Sequence, residues 1–203
     1  MKLKKLKQIV AEHDRQCSNC SLCEIGKRST GRITTRYTHS LTRMVNPILF
    51  IGEAPGETED ALGFPFVGKS GILLDRLLSE AAITHFVITN AIACTPYETD
   101  ERKYIREPDP SEIKNCIDNV YFLFQKLEPS AIVLLGKVAE KSWNLICKKY
   151  PTIVHEEFQP AYPLYHPSFI LRKGGYGCAE YKRTLLKLIE IRKSVFEERD
   201  EED

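Results

Sequence analysis

Residues Gly52–Gly71 read GEAPGETEDALGFPFVGKSG, and this stretch decides the fold. It follows the apolar run Ile48-Leu49-Phe50-Ile51 and leads into Ile72-Leu73-Leu74-Asp75-Arg76-Leu77-Leu78, which has the look of a helix. A strand, a loop dense in glycine, proline and acid, and then a helix is how α/β folds present a site. Four glycines precede Ser70, and Pro55 and Pro65 stiffen the same loop, so its backbone is shaped and not merely connecting.

Working outward, Ile48–Ile51 is apolar at every position, as expected for a parallel strand buried on both faces. A helix is expected over Ser70–Ala82, then a second strand at Phe86–Asn90. Asp109-Pro110-Ser111-Glu112 is a helix start, with proline in the first turn and acid beside the N-terminal dipole. Ala131–Leu135 reads as a third buried strand, Lys137–Lys148 as a helix, Thr152–Phe158 as an edge strand, and Ala179–Val195 as a closing helix. Near the N-terminus, Leu3–His13 reads as a short helix, and Lys27–Asn46 as irregular or weakly stranded. Alternating strands and helices predict a mostly parallel sheet covered by helices on both faces.

The chain has 203 residues, 42% hydrophobic and 28% charged, which fits one domain over residues 1–196. Glu197–Asp203 holds six acids and one arginine, so of the net +1 this tail takes −5 and leaves +6 on the body. The tail is expected to be disordered, and the basic body suits an anionic partner such as nucleic acid as well as an ordinary surface. No stretch approaches eighteen apolar residues, and the N-terminus lacks an apolar signal core, so a cytoplasmic protein is expected. Seven cysteines in such a chain argue against a disulfide framework. Cys17, Cys20 and Cys23 form a C-x-x-C-x-x-C cluster that suits metal or iron–sulfur ligation, with Cys94 and Cys116 further on. Cys147 and Cys178 read as ordinary buried thiols.

Sites in open α/β sheets form beyond the carboxyl ends of the strands. Three loops there each carry a polar group: Glu53, Asn90 and His166. Singly they are a surface acid, a turn residue and a loop histidine. Converging on one sheet edge, they make an active-site pattern. GEAPGETED lacks the GK[ST] ending of a phosphate loop and the dinucleotide fingerprint, and neither a G-x-S-x-G elbow nor a zinc-deaminase signature occurs.

Four motifs in order resemble the family 4, iron–sulfur uracil-DNA glycosylases: GEAPG-x-x-E-D-x-x-G-x-PFVG, then ITNAIAC, LLGKVA and YHPSFILR. The resemblance implies a three-layer α/β/α sandwich with a central, mostly parallel four-stranded sheet, and hydrolysis of the N-glycosidic bond of uracil in DNA after base flipping, leaving an abasic site. It implies catalytic roles for Glu53 and His166, and substrate contacts from Ala54, Glu59, Phe66 and Asn90. Phe66 would stack on the base, Asn90 would read its Watson–Crick edge, and Ser168 and Arg172 would hold DNA backbone. It also implies that Cys17, Cys20, Cys94 and Cys116 hold a [4Fe–4S] cluster, with zinc the alternative for the same thiolates. The partner would be uracil-containing DNA, bound by a monomer. A non-catalytic DNA-binding or replication-associated relative is the rival reading.

The sequence departs from the family in two places. DERKYIRE, residues 100–107, lengthens the segment between Cys94 and Cys116, and Thr95-Pro96 stands where Arg-Pro is commoner. The loop lacks the histidine used by uracil-DNA-crosslinking relatives, and Ala54 stands where they carry glutamine, so covalent trapping is disfavoured. Arg102, Lys103 and Arg106 would then contact phosphates or sit in a solvated loop.

Overall fold

The computed structural model describes residues 8–9, 22, 35–37, 46–98, 104–151 and 161–196. Its sheet has the order β1-β3-β2-β4-β5. The strands are β1 (Arg36–Tyr37), β2 (Ile48–Gly52), β3 (Phe86–Asn90), β4 (Ala131–Leu135) and β5 (Ala161–Leu164). Strands β2 to β5 pair in parallel, and β1 adds a two-residue antiparallel edge on β3. The expected four parallel strands are therefore present, and the polar segment before Asn46 supplies a fifth.

β2 shows why the sheet is central. Leu49 and Ile51 join one core cluster while Ile48 and Phe50 join the other, and all four are fully buried. Alternate side chains point to opposite faces of a strand, so an unbroken apolar run needs helices on both sides. The first face packs Ile113, Ile117, Val120 and Leu123 of α3 (Pro110–Leu127) with Trp143 and Ile146 of α4 (Lys137–Lys149). The second packs Leu73, Leu74 and Leu77 of α2 (Lys69–Glu80) with Leu188 and Ile191 of α6 (Ala179–Phe196). Burying one such leucine or isoleucine stabilises the fold by roughly 2 kcal/mol before chain entropy is counted.

Two short helices lie where only loops were expected: α1 (Glu57–Leu62) inside the Gly52–Gly71 stretch, and α5 (Pro167–Arg172) inside YHPSFILR. The outer strand also differs. The edge strand is Ala161–Leu164, with Pro163 opposite Leu134, a tolerable place for proline because an edge strand leaves one row of N–H groups outside the ladder. The expected strand Thr152–Phe158, the helix Leu3–His13 apart from residues 8–9, and the tail 197–203 lie outside the described residues.

From β2 the chain moves outward to β3, then returns to the other side of β2 to place β4. Connections leaving β2 and β4 therefore diverge, which opens a crevice beyond their carboxyl ends. Glu53 follows β2 at that edge, Gly136 follows β4, and His166 lies two residues beyond β5.

Candidate active site

A cleft of about 860 Å³ lies at this edge, with Glu53, Gly136, Lys137, His166, Ser168 and Arg172 among its lining residues. Phe66 and Asn90 are not in that lining, but both sit directly behind it. A Cβ built on Gly52 would overlap Asn90 Oδ1 and come 2.5 Å from the Phe66 ring, so the bare backbone of Gly52 is what lets the two side chains approach. The Phe66 ring in turn lies 5.8 Å from the His166 ring, centroid to centroid. Gly52 pairs with Asn90 in register, and Ile92 N–H donates to Glu53 O at 3.0 Å, carrying the β2–β3 pairing past both strand ends.

The backbone of Phe66 is left-handed, with φ 55°. A non-glycine residue there costs about 1–2 kcal/mol, so neighbouring structure must impose it. Gly71 lies so close that a Cβ would collide with the Phe66 carbonyl. Glu59 supplies the rest: its Oε1 accepts from Val67 N–H at 3.0 Å and Gly68 N–H at 2.8 Å. Asp60, buried one residue on, accepts from Tyr97 O–H at 3.0 Å and ties α1 to the loop after β3.

These bonds also settle a motif that the sequence reading passed over. Gly63–Ser70, GFPFVGKS, has the spelling of a phosphate-binding loop and opens α2 at Lys69. Here it follows the helix α1 and not a strand, and two amides at the α2 N-terminus are already taken by the Glu59 carboxylate. The anion position of the helix dipole is filled from within.

His166 is the N-cap of α5. Its Nδ1 accepts from Ser168 N–H at 3.2 Å and lies 2.8 Å from Ser168 Oγ. A backbone amide can only donate, so Nδ1 is an acceptor and the ring proton sits on Nε2. Arg172 Nη1 donates to Ser168 Oγ at 3.4 Å, extending the chain. Burial first, then the Arg172 charge, push the His166 pKa down to about 4, with Glu59 opposing. The imidazole is thus neutral near pH 7. Gly136, in the left-handed region at φ 90°, passes under it, where a Cβ would lie 3.0 Å from that of His166.

Glu53 moves the other way. Burial first, then the nearby charge of Glu107, raise its pKa, and Arg172 partly offsets them. Ala54 is half-buried against the α3 face of the core. Asn90 is buried, and its Oδ1 has no hydrogen-bond partner among the described residues. A buried acceptor left without a donor costs about 1–3 kcal/mol, which a ligand donor would recover.

Cys94 and Cys116 are buried in one core cluster that also holds Leu22, the residue between Cys20 and Cys23. Cys17, Cys20 and Cys23 themselves lie outside the described residues. Two buried thiols in the cluster that holds Leu22 are donors that suit an iron–sulfur or zinc group. Cys147 and Cys178 are half-buried; the latter's sulfur accepts Tyr181 N–H at 3.4 Å in the first turn of α6. Arg106, for which phosphate contact and a solvated loop were both open, is engaged by Glu112 in a two-pronged pair at 2.9 and 2.6 Å. Arg102 and Lys103 lie outside the described residues. Gly136 and Glu107 were not singled out from sequence; only the LLGKVA motif pointed near the former.

The model of the uracil DNA glycosylase superfamily matches residues 41–189. The chain belongs to that superfamily. It is 30% identical over 203 residues to a type-4 uracil-DNA glycosylase of Thermotoga maritima, covering 93% of this chain and 94% of that one. It is 32% identical over 142 residues to the type-4 enzyme of Archaeoglobus fulgidus, covering 68% and 66% respectively. Pedobacter heparinus SMUG2 shares the fold with a TM-score of 0.59 at 15% identity, over 92% of this chain and 96% of that one.

Proposed function

We propose that this protein is a uracil-DNA glycosylase of the type-4 class, hydrolysing the N-glycosidic bond of uracil in DNA. The observation that carries the reading is Asn90: a buried amide whose Oδ1 has no partner among the described residues, packed beside the Phe66 ring over Gly52. Uracil presents an N3–H donor and an O4 acceptor, which an amide matches with its own acceptor and donor. Cytosine presents a bare N3 and an amine, so each contact turns repulsive or stays unmade. Phe66 supplies the stacking surface, and Glu59 shapes the pocket by fixing the Phe66–Gly68 backbone. The backbone N–H of Ala54 is assigned to a uracil oxygen.

As the C1′–N1 bond lengthens, the sugar becomes cationic and uracil gathers negative charge. Neutral His166 donates its Nε2–H to O2 of that anion, a contact that strengthens only in the transition state. One such preorganised donor is worth about 3–4 kcal/mol. Ser168 acts through His166 by holding Nδ1, and Arg172, exposed beyond it, has donors left for a phosphate. Glu53 faces the sugar and the attacking water.

Cys17, Cys20, Cys94 and Cys116 are assigned to a [4Fe–4S] cluster. The cluster would supply a structural crosslink between the N-terminal segment and the loop after Asn90. Broad absorption near 400 nm would separate it from zinc, which is colourless. The protein is taken to act as a cytoplasmic monomer on uracil-containing DNA; among the described residues no helix is long and apolar enough to cross a membrane. The test is incubation with a uracil-containing oligonucleotide followed by alkali. Strand cleavage at the uracil is expected, and an intact strand would leave the rival, a non-catalytic DNA-binding relative.

A further inference from the structure

We propose that Glu107 is a positioning residue of this hydrolysis, a second carboxylate held in the Glu53 cleft so that two negative charges face the reacting sugar. The inference rests on the glycosylase reading and assigns a function to the lengthened segment before Cys116. Glu53 and Glu107 line the same cleft, from different segments. Tyr97 bridges Ile105, Glu98 N–H donates to Tyr104 O at 2.9 Å, and Arg106 N–H donates to Pro96 O at 2.9 Å. This ladder brings residues 104–107 back beside the loop that leaves β3. Its end is then fixed twice: Arg106 grips buried Glu112, and its Nη1 donates to Glu107 O at 3.1 Å. Tyr97 at the other side is bonded to Asp60 of α1, the helix that follows Glu53 in the same loop. Both carboxylates are thus carried by segments bonded to each other.

In the reaction, a water oxygen bonds to C1′ as the C1′–N1 bond breaks, its electron pair leaving on uracil, and a water proton passes to Glu53. A carboxylate that binds a proton more tightly, yet is still ionised at working pH, is the better acceptor for that proton. Glu107 acts in that sense on Glu53, as a like charge in a partly desolvated cleft. The other charged or titratable groups of the cleft are His166, neutral here, with Tyr165, Arg172, Lys137, Arg183 and Glu140. Arg172 opposes Glu107.

The experiment uses the full-length protein with Glu107→Gln and Glu107→Lys. Two readouts are taken: the pH profile of single-turnover uracil excision and a ¹³C-carboxyl titration of Glu53, which needs no turnover. The Glu107 side chain is exposed, so both variants are expected to melt with the wild type. The acid limb of the profile and the Glu53 titration are expected to move to lower pH in Glu107→Gln, and further in Glu107→Lys. The shift should shrink near 1 M salt, where the Debye length is about 3 Å. An unmoved Glu53 titration in both variants overturns the proposal. So does a change confined to KM, which would make Glu107 a DNA-repelling charge. Wild-type protein that excises no uracil overturns the glycosylase reading itself, a failure the titration cannot mimic.

Discussion

Two segments bring a carboxylate to the cleft, and they are built in opposite ways. The loop after β2 is held by close approach: Gly52 against Asn90 and Phe66, Gly71 against the Phe66 carbonyl, Glu59 on the amides of Val67 and Gly68. The segment before α3 is held by charge: Arg106 between Glu112 and the Glu107 carbonyl. Packing of the first kind leaves no room for an added atom, whereas an ion pair tolerates bulk and fails when a partner is removed. The difference teaches where each segment will break.

The largest expected effect lies in the chemistry that both segments serve. His166→Ala should slow uracil excision by about 10²–10³-fold, the loss of one preorganised donor, with the fold intact. A single-turnover assay checks this, and an unchanged rate would move the donor role elsewhere. Ser168→Ala removes a partner of His166 Nδ1 and should lower the rate less.

Next come the two structural breaks. Arg106→Ala leaves the Glu112 carboxylate without its cation. Burial alone would raise that carboxyl, but hydrogen bonds from Arg106 and from the Asp109 amide hold it low. The pair is part-buried, so a destabilisation of about 1–3 kcal/mol is expected by urea unfolding, from the Glu112 carboxylate left without that donor. Gly71→Ala should cost about 1–3 kcal/mol as overpacking. It should also lower activity by displacing Phe66, whereas Arg106→Ala acts on the rate chiefly through Glu107. If both variants lose stability and activity in equal proportion, the contrast between packed and charge-held segments is wrong.

The smallest effect is a pH-dependent one. Because the folded state raises the Glu53 pKa, it holds that proton more tightly than the unfolded chain. Stability from this group is therefore greatest at low pH and falls as pH rises through the raised value. Glu53→Gln should melt slightly higher than wild type at pH 7, with the gap closing below about pH 4.5, the ordinary carboxylate value. His166 has the opposite sign. Neutral in the fold down to about 4 against 6.5 when unfolded, it contributes stability above pH 6.5 that is lost as pH falls toward 4. Melting curves across pH 4 to 7.5 for Glu53→Gln and His166→Ala separate the two slopes.

The same contrast explains what the sequence made legible. β2 and β4 were readable because burial on both faces leaves unbroken apolar runs, and Glu53, Asn90 and His166 because each lies at or just past the carboxyl end of a strand. β5 gives a weak signal because Ala161–Leu164 is a partly exposed edge broken by Pro163. The six-residue helices α1 and α5 are too short to show a helical period amid glycine and proline. Resemblance placed Glu59 at the pocket, but spacing does not show that its carboxylate accepts from the Val67 and Gly68 amides. Resemblance placed Ser168 on DNA backbone, but spacing does not show that its hydroxyl lies 2.8 Å from His166 Nδ1. Contacts of this kind follow from which groups meet in space, and neither periodicity nor spacing encodes them. Glu107 was hidden for the same reason, inside a charged segment that reads as solvated loop.

The most direct test of the site is base discrimination through Asn90. Two oligonucleotides differing only by uracil or cytosine at one position are treated with wild-type protein and with Asn90→Ala, under single-turnover conditions. Wild type should release uracil and leave cytosine, and Asn90→Ala should lose most uracil excision while melting as a folded protein. Uracil excision by Asn90→Ala at the wild-type rate would contradict the assignment of that buried amide to the base.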